Sequence, residues 1–203
     1  MNTRPHRRAY QSAFTVIEAL VAISMLLLAV SSSFAIGQSS LQSSSLVKNK
    51  IVAYYLAQEG IEYIRHMRDN NGLAMLKNKS DNSMSWLDGY AHYYGDWTQN
   101  DPCSIGNVCR VDITNQVTPL TQCQHGICPN LYIEQSSGLF QYGTTGSAVD
   151  SGFVRSISIG GTGTSDQREI QVVVTVSWTQ NGVSKSLVLS ENLYNWQQIQ
   201  EID

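Results

Sequence analysis

Phe14 to Ile36 reads FTVIEALVAISMLLLAVSSSFAI, and Glu18 is its one charged residue. At the helical rise this stretch makes about 34 Å, enough to cross a hydrocarbon core of roughly 30 Å. Upstream, Arg4, Arg7 and Arg8 lie in a leader, residues 1–13, that holds no acid. Such a basic flank stays in the cytoplasm, so the expectation is a single-pass inner-membrane protein with its amino terminus inside and its remainder outside. An ordinary signal anchor fits these features. So does a secretory signal cut after Ala35, because Ser33-Phe34-Ala35 has the small-x-small form of such a site.

Outward from that stretch, the chain has 203 residues and a formal charge of −3, from 13 basic and 16 acidic side chains. Removing the leader takes away three arginines and leaves −6, so positive charge is concentrated where a targeting signal needs it. A phosphate-tracking surface requires clustered Lys and Arg, and no direct nucleic-acid site is expected here. With 42% apolar residues the chain can build a core, which argues against a disordered tail.

Ser12-Ala13-Phe14-Thr15-Val16-Ile17-Glu18-Ala19-Leu20-Val21-Ala22-Ile23 resembles the class III signal of type IV prepilins and pseudopilins. The resemblance implies cleavage by prepilin peptidase between Ala13 and Phe14, N-methylation of Phe14, and a role for Glu18 as the fifth-position acid of the mature chain. One position departs from the pattern. The family usually carries Gly before the cut, so Ala13 implies slower processing. A carboxylate within a membrane helix costs about 2.5–3.5 kcal/mol, and such groups normally have a partner and a task. The resemblance supplies the amino group of Phe14 in a neighbouring subunit; the plainer alternative is a carboxylate reaching back to interfacial water.

Nothing in the sequence stops the helix at Ile36. No proline lies between Gly37 and Arg68, and Val47, Ile51, Tyr54, Ile61 and Ile64 recur at spacings expected of an amphipathic stripe. Asp69-Asn70-Asn71-Gly72 reads as the stop, giving a helix of about 80 Å. Ser31 to Ser33, residues 37–45 and Gly60 are its weak points, with bending or melting expected near 37–45. The expected divisions are therefore a leader at 1–13, a transmembrane half at 14–36, an amphipathic half at 37–72 and an exported β-rich domain at 73–203. Ala57-Gln58-Glu59-Gly60-Ile61-Glu62-Tyr63 also resembles part of the minor pseudopilins.

Trp86, Tyr90, Tyr93, Tyr94 and Trp97 fall in an irregular stretch, where they either pack a loop against the core or form an exposed carbohydrate platform. Further on, Phe153, Arg155, Ile157 and Ile159 alternate with polar residues, as do Ile170, Val172, Val174, Val176 and Trp178. Gln180-Asn181-Gly182 is a hairpin turn before Ser186 to Ser190. Leu131 to Ile133 and Leu139 to Tyr142, around Ser136-Ser137-Gly138, read as an earlier hairpin. Leu193-Tyr194-Asn195-Trp196 resembles the closing Leu-x-x-Trp of some pseudopilin-like proteins. The expected fold class is α+β: a long amino-terminal helix on a small antiparallel sheet of four to six strands, as in pilins.

Cys103, Cys109, Cys123 and Cys128 form an even set in the segment 103–128 of an exported domain, so disulfides are expected. A hairpin from Cys109 to Ile113 and back to Cys123 favours a nested set, 109 with 123 and 103 with 128; neighbour pairing, 103 with 109 and 123 with 128, is equally open. Zinc needs tighter spacing than these gaps, even with His125 nearby, so no metal is expected. His6, His66, His92 and His125 lack any hydrolase or metalloprotease context, and residues 160–164 contain Gly without Lys between two strands, which makes a loop rather than a phosphate cradle. Neither enzymatic activity nor a cofactor is expected. The resemblance implies instead a minor pilin or pseudopilin of a pilus, secretion or DNA-uptake filament, with prepilin peptidase, other pilin subunits, the inner-membrane assembly platform and the lipid bilayer as partners, and a final place in a filament or at the cell surface. The competing expectation is a signal-anchored or secreted binding module.

Overall fold

The fold is taken from a computed structural model that describes residues 15–77, 85–89, 101–104, 106–144, 146–161 and 168–196. It is α+β, with one long helix, α1 (Val16–Lys77), followed by an antiparallel sheet. Two compact units divide the chain, Met1–Val47 and Lys48–Asp203.

In the first unit, the described residues are almost entirely α1, and its apolar side chains are exposed from Val16 through Ile36. The serines do not interrupt it. Ser24 donates to the Leu20 carbonyl at 2.6 Å, Ser31 to Leu27 at 2.8 Å, and both Ser32 and Ser33 to Ala29 at 2.9 Å. A hydroxyl bonded back to its own helix exposes little polarity, so the segment stays helical and apolar together. Residues 37–45, expected to bend or melt, are helical as well.

In the second unit, α1 buries Ala53, Leu56, Ala57, Gly60, Ile61 and Ile64. This corrects the expected stripe: Ile61 and Ile64 belong to it, but Val47, Ile51 and Tyr54 are exposed. The buried face is rich in Ala and Gly because the helix lies close to the sheet. A Cβ on Gly60 would sit 3.3 Å from both Ile157 Cδ1 and Val174 Cγ1. The helix also continues past its expected end at Gly72 to Lys77. Asn71, read from sequence as a turn former, instead donates from Nδ2 to the carbonyls of Trp86 (3.2 Å) and Asp88 (2.9 Å). Those bonds hold the turn 86–89 against the helix, with Trp86 and Leu87 buried in the core.

The sheet has seven strands rather than four to six: β1 (Val108–Val111), β2 (Leu120–Gln122), β3 (Asn130–Glu134), β4 (Phe140–Gln141), β5 (Ala148–Gly161), β6 (Glu169–Gln180) and β7 (Val183–Tyr194). Every pairing is antiparallel, and β5 is the hub. It pairs β3 along its first half, β1 along its second, and β6 on its other side. The expected hairpins are present: β1 with β2, β3 with β4, and β6 with β7 across Asn181-Gly182, both at positive φ as a tight two-residue turn requires. Along β6, Ile170, Val172, Val174, Val176 and Trp178 all point inward, as their alternation predicts.

Candidate functional site

Glu18 stands in the first turn of α1, where Thr15 precedes the helix and Glu18 is three residues on, the spacing of a capping box. The Glu18 amide donates to Thr15 Oγ1 at 3.3 Å, and the Ala19 amide to the Thr15 carbonyl at 3.2 Å. A carboxylate at this position also meets the positive end of the helix dipole. The side chain is exposed, and the candidate cleavage residues Ala13 and Phe14 lie outside the described residues. Beyond Glu18, one window of α1 has mean hydropathy 2.3 and is entirely unburied, so the helix is long and apolar enough to cross a membrane.

The cysteines form two local bridges, Cys103 with Cys109 and Cys123 with Cys128, at Cα separations of 5.1 and 4.8 Å. The nested alternative is thereby corrected. Its premise held in part, since the β1–β2 ladder sets Cys109 opposite Gln122 and the Cys123 amide donates to Val108. Adjacent positions in a ladder need not bond, however, when each sulfur has a closer partner across its own turn. The four sulfurs that a zinc reading would need are all oxidised. Beside the second bridge a groove of about 370 Å³ is lined by Arg110, Gln122, Gln124, Ile127 and Pro129. Its rim carries Ile127, 76% exposed. The Arg110 guanidinium stacks 4.8 Å from the Tyr142 ring centre, which fixes its plane on one wall. Burial pushes the Tyr142 hydroxyl above its ordinary pKa, against the pull of nearby Arg155, and that hydroxyl donates to the Arg155 carbonyl at 3.4 Å.

Sequence reasoning placed Arg155 on the inward face of its strand without recognising what it does there. Its side chain is 1% exposed, donates through Nη1 to the Leu56 carbonyl at 3.0 Å and through Nη2 to the Val111 carbonyl, and lies 3.2 Å from Glu59. One cation therefore joins the helix, β1 and β5. An arginine in the apolar phase of a strand was the available signal. A second link, Arg65 to both carboxylate oxygens of Glu191 at 2.6 Å, ties the helix to β7 and raises the Arg65 pKa, mainly through that hydrogen bond.

No group of three or more His, Cys, Asp or Glu side chains converges on a metal-sized site among the described residues. His66 pairs with Asn70, and His125 sits exposed in the turn of the second disulfide loop at φ 53°. Trp86 is buried, so it cannot join an exposed platform; Tyr90, Tyr93, Tyr94, Trp97, His6 and His92 lie outside the described residues. No family model matches the chain, and neither a curated protein nor a solved structure does.

Proposed function

We propose that this chain is a minor pilin or pseudopilin, a structural subunit inserted in the membrane by α1 and then drawn into a filament. The observation that carries the reading is one helix combining an apolar, unburied amino-terminal span opened by Thr15 and Glu18 with a second part packed on an antiparallel sheet. In this mechanism prepilin peptidase removes residues 1–13, and Phe14 becomes a methylated amino terminus. The membrane holds the span until the assembly platform extracts the subunit. In the filament, apolar contacts with neighbouring helices replace lipid, and the Glu18 carboxylate meets the amino group of a neighbouring subunit. A misplaced subunit leaves that charge unpaired in an apolar setting, which sets the axial register. The Thr15 hydroxyl, accepting from the Glu18 amide, keeps the first turn wound beside the cleavage point. No catalytic step is part of this proposal.

Mass spectrometry of protein from membranes and from sheared filaments tests it. The expected result is Phe14 as a methylated first residue in both. A mature terminus at Ile36 refutes the proposal and leaves a secreted domain. A second reading, a signal-anchored binding module, draws on the groove beside Cys123–Cys128 and its exposed Ile127; an intact leader retained in the membrane would favour it.

A further inference from the structure

We propose that the groove beside Cys123–Cys128 takes an extended, acidic segment of a partner protein, which adds a strand to the outer edge of β2 and sets a carboxylate on Arg110. An unpaired cation, an open strand edge and an exposed apolar rim meet at this one place.

Arg110 and Thr121 are directly opposite in the β1–β2 ladder, so their side chains leave the sheet on one face, and both line the groove of about 370 Å³. The guanidinium is held over the Tyr142 ring. Among the described residues no carboxylate pairs with it. Asp112, two positions along the chain, is already committed: its Oδ1 accepts from Thr114 and its Oδ2 from the Tyr142 amide. Across the same face, Ser156 and Ser158 of β5 and Thr175 and Ser177 of β6 bring no charge. A planar guanidinium fixed by stacking and left unpaired is shaped for a carboxylate, which it meets with two parallel N–H bonds.

The edge is open as well, since β2 pairs with β1 alone among the described residues. The Cys123 amide donates to the Val108 carbonyl at 2.8 Å and the Asp112 amide to the Pro119 carbonyl at 2.7 Å. Those bonds fix the parity of the strand. Pro119, Thr121 and Cys123 turn their backbone groups to β1, whereas Leu120 and Gln122 turn theirs outward. Proline and charge, the usual guards of an edge, are absent from β2, and Gln122 lies at the groove itself. An added strand satisfies these groups and turns every second side chain to the face of Arg110 and Thr121. Main-chain bonding of this kind requires a polypeptide, which decides against a uronate glycan. A nucleic acid needs many cations along its track, and the groove offers one.

On the rim, Ile127 stands exposed beside Pro129, and the Cys123–Cys128 bridge closes the short loop that carries it. An apolar side chain of the bound segment covers Ile127 there. Strand alternation then sets the preferred sequence, with an acid and an apolar residue two positions apart so that both reach the groove face.

The test probes an array of acetylated and amidated peptides, each with one Glu two positions from a Val, Ile or Leu, with the full chain in neutral detergent micelles, and titrates the binders by calorimetry. Binding is expected to fall at least tenfold when the peptide Glu becomes Gln and equally when the chain carries Arg110→Gln, while Arg110→Lys, which keeps the charge without the plane, falls several-fold. Gln122→Pro, which removes only an outward-facing N–H, should also lose at least tenfold, whereas Gln122→Ala keeps that N–H and most of the binding. Ile127→Ser should weaken the apolar-flanked peptides several-fold. Circular dichroism and melting of each variant should match wild type. No preference for Glu over Gln peptides, unchanged binding by Arg110→Gln, an equal loss in Gln122→Ala and Gln122→Pro, or a galacturonate oligomer held as tightly as the best peptide would each overturn the proposal. The groove is read whichever way the amino terminus is processed, so failure here leaves the assignment of Phe14 untouched.

Discussion

Replacing Arg155 with Ala should destabilise the folded domain by about 3–4 kcal/mol, because three separate consequences follow from one truncation. The guanidinium bonds to the Leu56 and Val111 carbonyls disappear, and bonds from a charged donor contribute about 1.5–3 kcal/mol each before compensation. Glu59 loses its cation at 3.2 Å, although its side chain is 27% exposed and can turn to water. The space left by an almost fully buried side chain must collapse or stay empty. Removing one member of a buried ion pair costs about 3–5 kcal/mol in general, and the exposure of Glu59 places this case in the lower part of that range. Arg155→Met should cost less, about 1–2 kcal/mol, since it retains the apolar volume and takes the charge out of the core. The assay is urea unfolding of the full chain in detergent micelles, followed by fluorescence of the buried Trp86 and Trp178. A domain of this size loses about 2–4 °C of Tm per kcal/mol, so the alanine variant should melt roughly 6–16 °C lower. An alanine variant within about 1 kcal/mol of wild type, or a methionine variant no better than alanine, would refute the view that this cation is a structural tie.

Gly60→Val should cost about 1–3 kcal/mol in the same urea titration, because even the first added carbon falls 3.3 Å from Ile157 and Val174; wild-type stability would mean the helix can lift off the sheet freely. Serine at both Cys123 and Cys128 should lower stability by about 2 kcal/mol, the loop-closure value for bridged residues five apart, and a midpoint unchanged by the substitution would show that the turn is held by its hydrogen bonds alone. The Glu134 carboxyl is held below its ordinary pKa, chiefly by the Ser147 hydroxyl at 2.6 Å. A depressed folded pKa gives stability that is complete above the unfolded value and fades as pH falls through the folded one, so Ser147→Ala should flatten the acid side of the stability profile and raise the Glu134 value in a carbon-detected NMR titration. An unmoved titration would assign the depression to Ser136 instead.

The strands of the carboxyl-terminal half were legible because one of their faces is buried against the helix: alternation along β6 and the Asn181-Gly182 turn have no other use. The membrane-length span was legible for the opposite reason, as an apolar run that no core residue covers. Failures occurred where a contact distant in sequence overrode a local signal. Asn71 and Gly72 look like a helix stop until Asn71 is seen holding the Trp86 turn. Val47, Ile51 and Tyr54 drew attention because they are large, whereas the actual contact face is marked by Ala53, Ala57 and Gly60, small residues chosen by closeness rather than hydropathy. Strands β2 and β4, three and two residues long, carry no periodicity to read. Cysteine pairing could not be decided, since the nested and neighbour sets both suit a β1–β2 hairpin. Of the assigned amino-terminal residues, only Glu18 falls where its surroundings are described, and the Thr15 hydroxyl that accepts from its amide was not anticipated from the sequence.

The two bridges join cysteines only six and five positions apart. Each pair can close within its own short stretch, before β5 or β6 has joined the sheet. Oxidation therefore needs no template from the finished sheet. A bridge joining Cys103 to Cys128 would have to wait for the intervening loop and could trap it the wrong way round. Short-range pairing lets covalent maturation run ahead of folding, so the two local constraints are in place before the sheet that uses them.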